Sequence, residues 1–195
     1  MINNINKEIE KHYYRKFASF SGAKYLEPKS CEEHIFFVTM KMAKSWQLNG
    51  DIGARAIWRQ FDRFYIGACR EAMGNRFKYY PDRQPFAYAF IDIAGSRDAT
   101  LRLNRDRIYC DPHIHAIIMV HPKYLQEFHR VFDRLDRGGS LEGNAGAKFK
   151  ISAYDQRRSS LSDLISYSRK GLVLLRHENE VENYWNVYPR IISRI

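Results

Sequence analysis

The sequence predicts an α+β domain, a sheet with one polar and one apolar face and helices packed mainly on one side. Residues 34–42, 86–94 and 110–120 are short, alternating, β-branched and aromatic, as half-buried strands are. Amphipathic helical spacing fills 49–73 and 122–137 between and after them. With 195 residues, 45% hydrophobic and 14% aromatic, the chain can bury one core and is not disordered. Alternating faces of this kind suit an antiparallel sheet covered by helices on one side.

Residues 1–33 are polar and mixed, and predict a short helix, a loop around Ser21, Gly22 and Pro28, and an extension packed on the domain. Tyr13 and Tyr14, beside Arg15 and Lys16, suit either local packing or base stacking. His34 to Met42 is the first strand, with Phe37, Thr39 and Lys41 on one face. Lys41 in line with Thr39 suits a phosphate contact; an ordinary solvent-side lysine is the plainer alternative.

Asn49 to Met73 carries Ile57, Trp58, Phe61, Phe64, Tyr65, Ala68 and Ala72 at three- and four-residue steps. Arg55, Arg59, Arg63 and Arg70 fall outside that stripe. Asn49 or Asp51 suits the helix start, and Gly74-Asn75 the stop. In the second strand, Phe86 to Ala94, the residues Phe86, Tyr88, Phe90 and Asp92 share a face. A carboxylate at the end of an apolar strand needs a partner. That partner is one of the many arginines, or Asp92 is a metal ligand. The long loop after it, to Asp111, holds Arg97, Arg102, Arg105 and Arg107, suited to a nucleic-acid backbone, and the carboxylates Asp98, Asp106 and Asp111.

Cys110 to Val120 is the third strand, ended by His121-Pro122. His113 and His115 project from one face and can give two nitrogens to one divalent metal. Two histidines satisfied by hydrogen bonds on a sheet surface are the alternative. Tyr124, Leu125, Phe128, Val131, Phe132 and Leu135 predict a helix that Gly138 and Gly139 end. Lys148 to Tyr154 is a short strand. Ser159 to Lys170 is a helix whose Ser160 and Asp163 resemble a capping box. Tyr167 lies about 120° from its apolar stripe, with Lys170 one turn on. The aromatic tail, with Tyr184, Trp185 and Tyr188, is expected to pack back on the domain.

Lys plus Arg is 32 and Asp plus Glu is 22, a net charge of +10 that favours a polyanionic partner, nucleic acid above all. Three widely spaced cysteines, Cys31, Cys69 and Cys110, form neither a zinc pattern nor a disulfide framework. With no signal peptide and no apolar run near 18 residues, the expected setting is cytoplasmic, or the host-cell interior if the chain is viral, without a membrane. There is no Walker-type phosphate loop.

Three features in order resemble the HUH endonuclease superfamily, in particular its single-tyrosine rolling-circle replication initiators (Rep type). They are Phe36-Phe37-Val38-Thr39-Met40-Lys41, then Pro112-His113-Ile114-His115, then Tyr167-Ser168-Arg169-Lys170. The resemblance covers about residues 34–172. It implies a ferredoxin-like or RRM-like fold with a central antiparallel sheet, in a single nicking domain spanning 1–195, with residues 173–195 as a tail. It also implies specific nicking and joining of single-stranded DNA at a replication origin or hairpin of a plasmid or virus. Tyr167 would be the nucleophile and Lys170 its partner. His113, His115 and Asp92 would hold Mn2+ or Mg2+, with Asp111 as the other candidate third ligand. Lys41, Arg97, Arg102, Arg105, Arg107 and Arg169 would contact DNA. The product would be a 5′-phosphotyrosine and a free 3′-hydroxyl, and a separate helicase would unwind the duplex.

Other readings remain open at this level. A single-strand transposase of the same superfamily would use a glutamine, for which Gln156 is the candidate; a relaxase would use a third histidine, for which His121 is. Tyr154 is the second candidate nucleophile. A non-catalytic module would stack bases on outward-facing Phe37, Tyr88 and Phe90. A hydrolase would use water and leave Tyr167 structural.

Overall fold

The structure, a computed structural model, describes residues 2–21, 33–42, 50–92, 112–142, 146–155, 157–170 and 185–189. Five strands form one antiparallel sheet: β1 (Ile35–Lys41), β2 (Phe86–Asp92), β3 (His113–Met119), β4 (Lys148–Ala153) and β5 (Trp185–Tyr188). Their spatial order is β4-β1-β3-β2-β5. Helices α1 (Ile2–Ser21), α2 (Gly50–Met73), α3 (Leu125–Asp136) and α4 (Leu161–Ser168) complete the fold. From β1 to β4 the elements run β1-α2-β2-β3-α3-β4, with β1 and β2 flanking β3. That is the split βαβ arrangement of ferredoxin-like folds.

Helices α2 and α3 cover the face formed by Phe36, Ala87, Phe149 and Tyr188. Phe36 packs on Phe132, Phe64 on Phe149, and Phe61 on Tyr188. The α2 stripe Ile57, Phe61, Phe64, Ala68 and Ala72 is buried, while Arg55, Arg59, Arg63 and Arg70 are exposed. Each large apolar side chain buried this way contributes about 1.5–3 kcal/mol. Gly74 ends α2 at a φ of 82°, a conformation that costs glycine nothing.

Helix α1 is not the short helix expected but runs for 20 residues. It lies on the opposite face with α4. Ile9, Tyr13 and Phe17, each four residues apart, are buried there. The Tyr13 hydroxyl donates to the Ile117 carbonyl at 2.7 Å and accepts from the Tyr88 amide at 3.0 Å, which locks α1 to β2 and β3. Helix α4 follows a Ser160–Asp163 capping box, with both reciprocal bonds formed. It is tied to α1 by Asn6, whose amide donates to Ser166 and whose carbonyl accepts from Arg169. Among the described residues no helix is long and apolar enough to cross a membrane.

Candidate metal centre

The register of the sheet assembles the centre. His113 opens β3, Asp92 closes β2 and Lys41 closes β1, and the ladders place His113 between the other two. One row deeper, His115 stands between Thr39 and Phe90. All these side chains point to the face that carries α1 and α4. Helix α4 then brings Tyr167 and, just beyond its end, Lys170 over the row. Tyr167 lies 5.1 Å from His115 and 5.9 Å from Phe37, ring centre to ring centre.

Asp92, His113 and His115 converge on one another. The Asp92 Oδ2 oxygen is 3.4 Å from His113 Nε2 and 3.2 Å from His115 Nε2, and the two nitrogens are 3.2 Å apart. Ligands about 2.1 Å from a shared ion stand about 3.0–3.4 Å from one another, depending on coordination number. The observed triangle has those edges, so the residues fit a divalent cation. Lone pairs this close repel unless a proton or cation lies among them. Lys170 supplies one positive charge, its Nζ 2.9 Å from Asp92 Oδ2 and 4.2 Å from the centre of the Tyr167 ring.

The surroundings tune the donors. Thr39 Oγ1 is 3.1 Å from His115 Nδ1, and Phe37 stacks on the same imidazole at 5.3 Å. In the tautomer whose Nδ1–H donates to Thr39, Nε2 keeps its lone pair for a metal. Burial pushes the His115 pKa down, with the charges of His113 and Lys170 adding to it against the opposing pull of Asp92. Burial would raise the Asp92 carboxyl, but hydrogen bonds from His113, His115 and Lys170 outweigh it and hold it well below the usual carboxylate range. A charged carboxylate and imidazoles whose Nε2 has given up its proton are the forms that bind metals, so a cation would replace the hydrogen bonds between them. Among the described residues no other group of three or more His, Cys, Asp or Glu side chains is placed to hold an ion.

No family model, curated protein or solved structure matches this chain. What the centre does therefore has to be read from its own residues. Two imidazoles and a carboxylate on adjacent strands serve several divalent first-row metals as well as magnesium.

The structure brings together Asp92, His113, His115, Tyr167 and Lys170. Lys41 is exposed beside His113 and opposite Lys148 on β4. Arg169 is half-buried, with its guanidinium committed to Asn6 on α1. Arg97, Arg102, Arg105, Arg107, Asp111 and Gln156 lie outside the described residues. Tyr154 donates to the Ser159 carbonyl at 3.0 Å. His121 caps the turn at Pro122, accepting from the Lys123 amide, beyond the far end of β3 from His113. The outward-facing base platform fails at two of its three members: Tyr88 and Phe90 are 5% and 1% exposed. Sequence reasoning gave the phosphate contact to Lys41 and gave Thr39 no part at the metal centre. Its place opposite His115 was readable only from the strand register.

Proposed function

We propose that this chain is a metal-dependent nickase and strand transferase that cuts single-stranded DNA through Tyr167. The observation that supports it most is the convergence of three separated motifs: the triad, the Thr39 strand and the Tyr167–Lys170 turn meet on one sheet face. A divalent cation such as Mn2+ or Mg2+, held by Asp92, His113 and His115, would neutralise charge on the scissile phosphate. The Tyr167 oxygen attacks phosphorus, its proton leaving to solvent. The bond from phosphorus to the 3′ oxygen breaks, and that oxygen takes up a proton. The products are a 5′-phosphotyrosine and a 3′-hydroxyl, and the reverse attack reseals the strand without ATP.

The chain's own groups have distinct parts. Lys170 links the metal ligand Asp92 to the nucleophile's ring, so it sets the position of Tyr167 and faces an incoming phosphate. Thr39 and Phe37 hold the plane of His115. Lys41, with Lys148 across the ladder, brings positive charge to the rim. Two lysines directly opposite repel each other, and a phosphate between them offsets that repulsion.

The direct test is to incubate the protein and Mn2+ with a randomised single-stranded DNA pool and then add a polymerase. Nicked molecules should carry 3′ ends that prime synthesis and new 5′ ends that stay closed to phosphatase and kinase labelling, because a tyrosyl group caps the 5′ phosphate even after protease. New 5′ ends that label once phosphatase has removed a free 5′ phosphate would show that water attacks instead and would remove Tyr167 from the reaction.

A further inference from the structure

A second surface stands at the other end of the sheet. β2 begins at Phe86 and ends at Asp92, so its start lies about 20 Å from the metal centre. Just before that start the chain makes two short 3-10 turns, Asn75–Tyr79 and Pro81–Arg83. Tyr79 is 74% exposed and Tyr80 41% exposed, among the few large side chains the fold leaves outside. Arg76 and Lys78 are exposed beside them, and the Arg83 guanidinium lies 5.1 Å from the Tyr80 ring. Asp82 is the one acidic residue of the segment. Arg76 and Lys78 form no ion pair with any described residue.

The segment is held rigidly. Phe77 is buried beneath it, and the buried Gln84 amide donates to the Phe77 carbonyl at 3.2 Å. The Tyr65 hydroxyl clamps its end at the Pro85 carbonyl, 2.7 Å away. Neither tyrosine ring helps fill the core, and ordering this backbone adds no cost on binding. Exposed aromatic faces interleaved with cations match the chemistry of single-stranded nucleic acid, whose bases stack and whose phosphates seek charge. An acidic protein would gain nothing from the stacking, and the segment has no apolar face to insert into a lipid surface.

We infer that residues 75–83 form a second contact for single-stranded nucleic acid, with Tyr79 and Tyr80 stacking on bases and Arg76, Lys78 and Arg83 holding phosphates. It would seat a part of the strand remote from the one proposed to cross the metal centre, but its binding needs no chemistry there.

The test uses the full chain in chelator, with a fluorescent 25-nucleotide oligothymidylate read by anisotropy. Y79A/Y80A should weaken binding at least tenfold. R76Q/K78Q should flatten the dependence of log affinity on log salt by about 1.4, for two phosphates at roughly 0.7 each. An iodouracil oligonucleotide should photocrosslink within tryptic residues 79–83. All four residues are exposed, so unchanged thermal melting will show that the variants fold. Unchanged affinity and slope in both variants, with no crosslink, would overturn the inference. So would a loss confined to acidic peptides or anionic vesicles. If nicking fails while Y79A/Y80A still weakens binding, the proposed function falls and this surface stands; if nicking holds and both variants bind normally, the reverse is true.

Discussion

Lys170 and Thr39 act on the triad in opposite directions. The Lys170 ammonium shares Asp92 Oδ2 with both imidazoles, so it competes with any cation placed among them. Lys170→Met should therefore raise Mn2+ affinity several-fold in an electron-paramagnetic titration while strand transfer falls. Equal or weaker binding would mean that Lys170 does not oppose the cation. Thr39→Val removes the hydrogen-bonding partner of His115 Nδ1 and should lower Mn2+ affinity about 10–100-fold. At this scale the His113–His115 pair was plain from spacing alone, and Asp92 stood out as a carboxylate ending an apolar strand. The role of Thr39 was hidden, because a cross-strand contact between residues 76 apart depends on register, and register is a tertiary property.

The two helices on the site face decide where Tyr167 stands. The α4 start was legible in Ser160 and Asp163, whose capping box forms as read. The length and burial of α1 were obscured by its polar composition. The readable signal was the four-residue spacing of Ile9, Tyr13 and Phe17 within that polar run. The Tyr13 hydroxyl satisfies two buried backbone groups at once. Tyr13→Phe leaves both unsatisfied and should cost about 1–3 kcal/mol per group lost. In a chain of this size each kcal/mol lowers the melting temperature by roughly 2–4 °C, which calorimetry would read. An unchanged melting temperature would show that α1 is not fastened through this hydroxyl. Asn6 extends the same fastening to α4, which connects α1 to the position of Tyr167, the proposed nucleophile.

Across the whole molecule, the centre shares in the response to acid with His34 and His121, whose pKa values burial also lowers. The folded His115 pKa is depressed, so the unfolded chain binds the proton more tightly. Its contribution to stability is complete above about pH 6.5 and is lost as pH falls below that value. The folded Asp92 pKa is depressed too, so a further loss begins near pH 4, the unfolded value, and continues down toward the folded one. In chelator, melting temperature should decline from pH 7 to pH 5, and His115→Gln should flatten that decline. A decline identical in the variant would assign the acid sensitivity elsewhere. The net charge of +10 acts at the same scale and favours a polyanionic partner of the kind proposed.

In the proposed reaction Tyr167 becomes covalently joined to DNA at a centre built from Asp92, His113 and His115. Trypsin should release Tyr167 within residues 159–169, cut after Arg158 and Arg169. After reaction with single-stranded DNA and Mn2+, then nuclease digestion, mass spectrometry of that peptide gives the most direct reading. A nucleotide phosphate on Tyr167, absent in Asp92→Asn and in chelator, is the predicted result. Cleaved DNA with that peptide unmodified, or a nucleotide found on Tyr154, would contradict it.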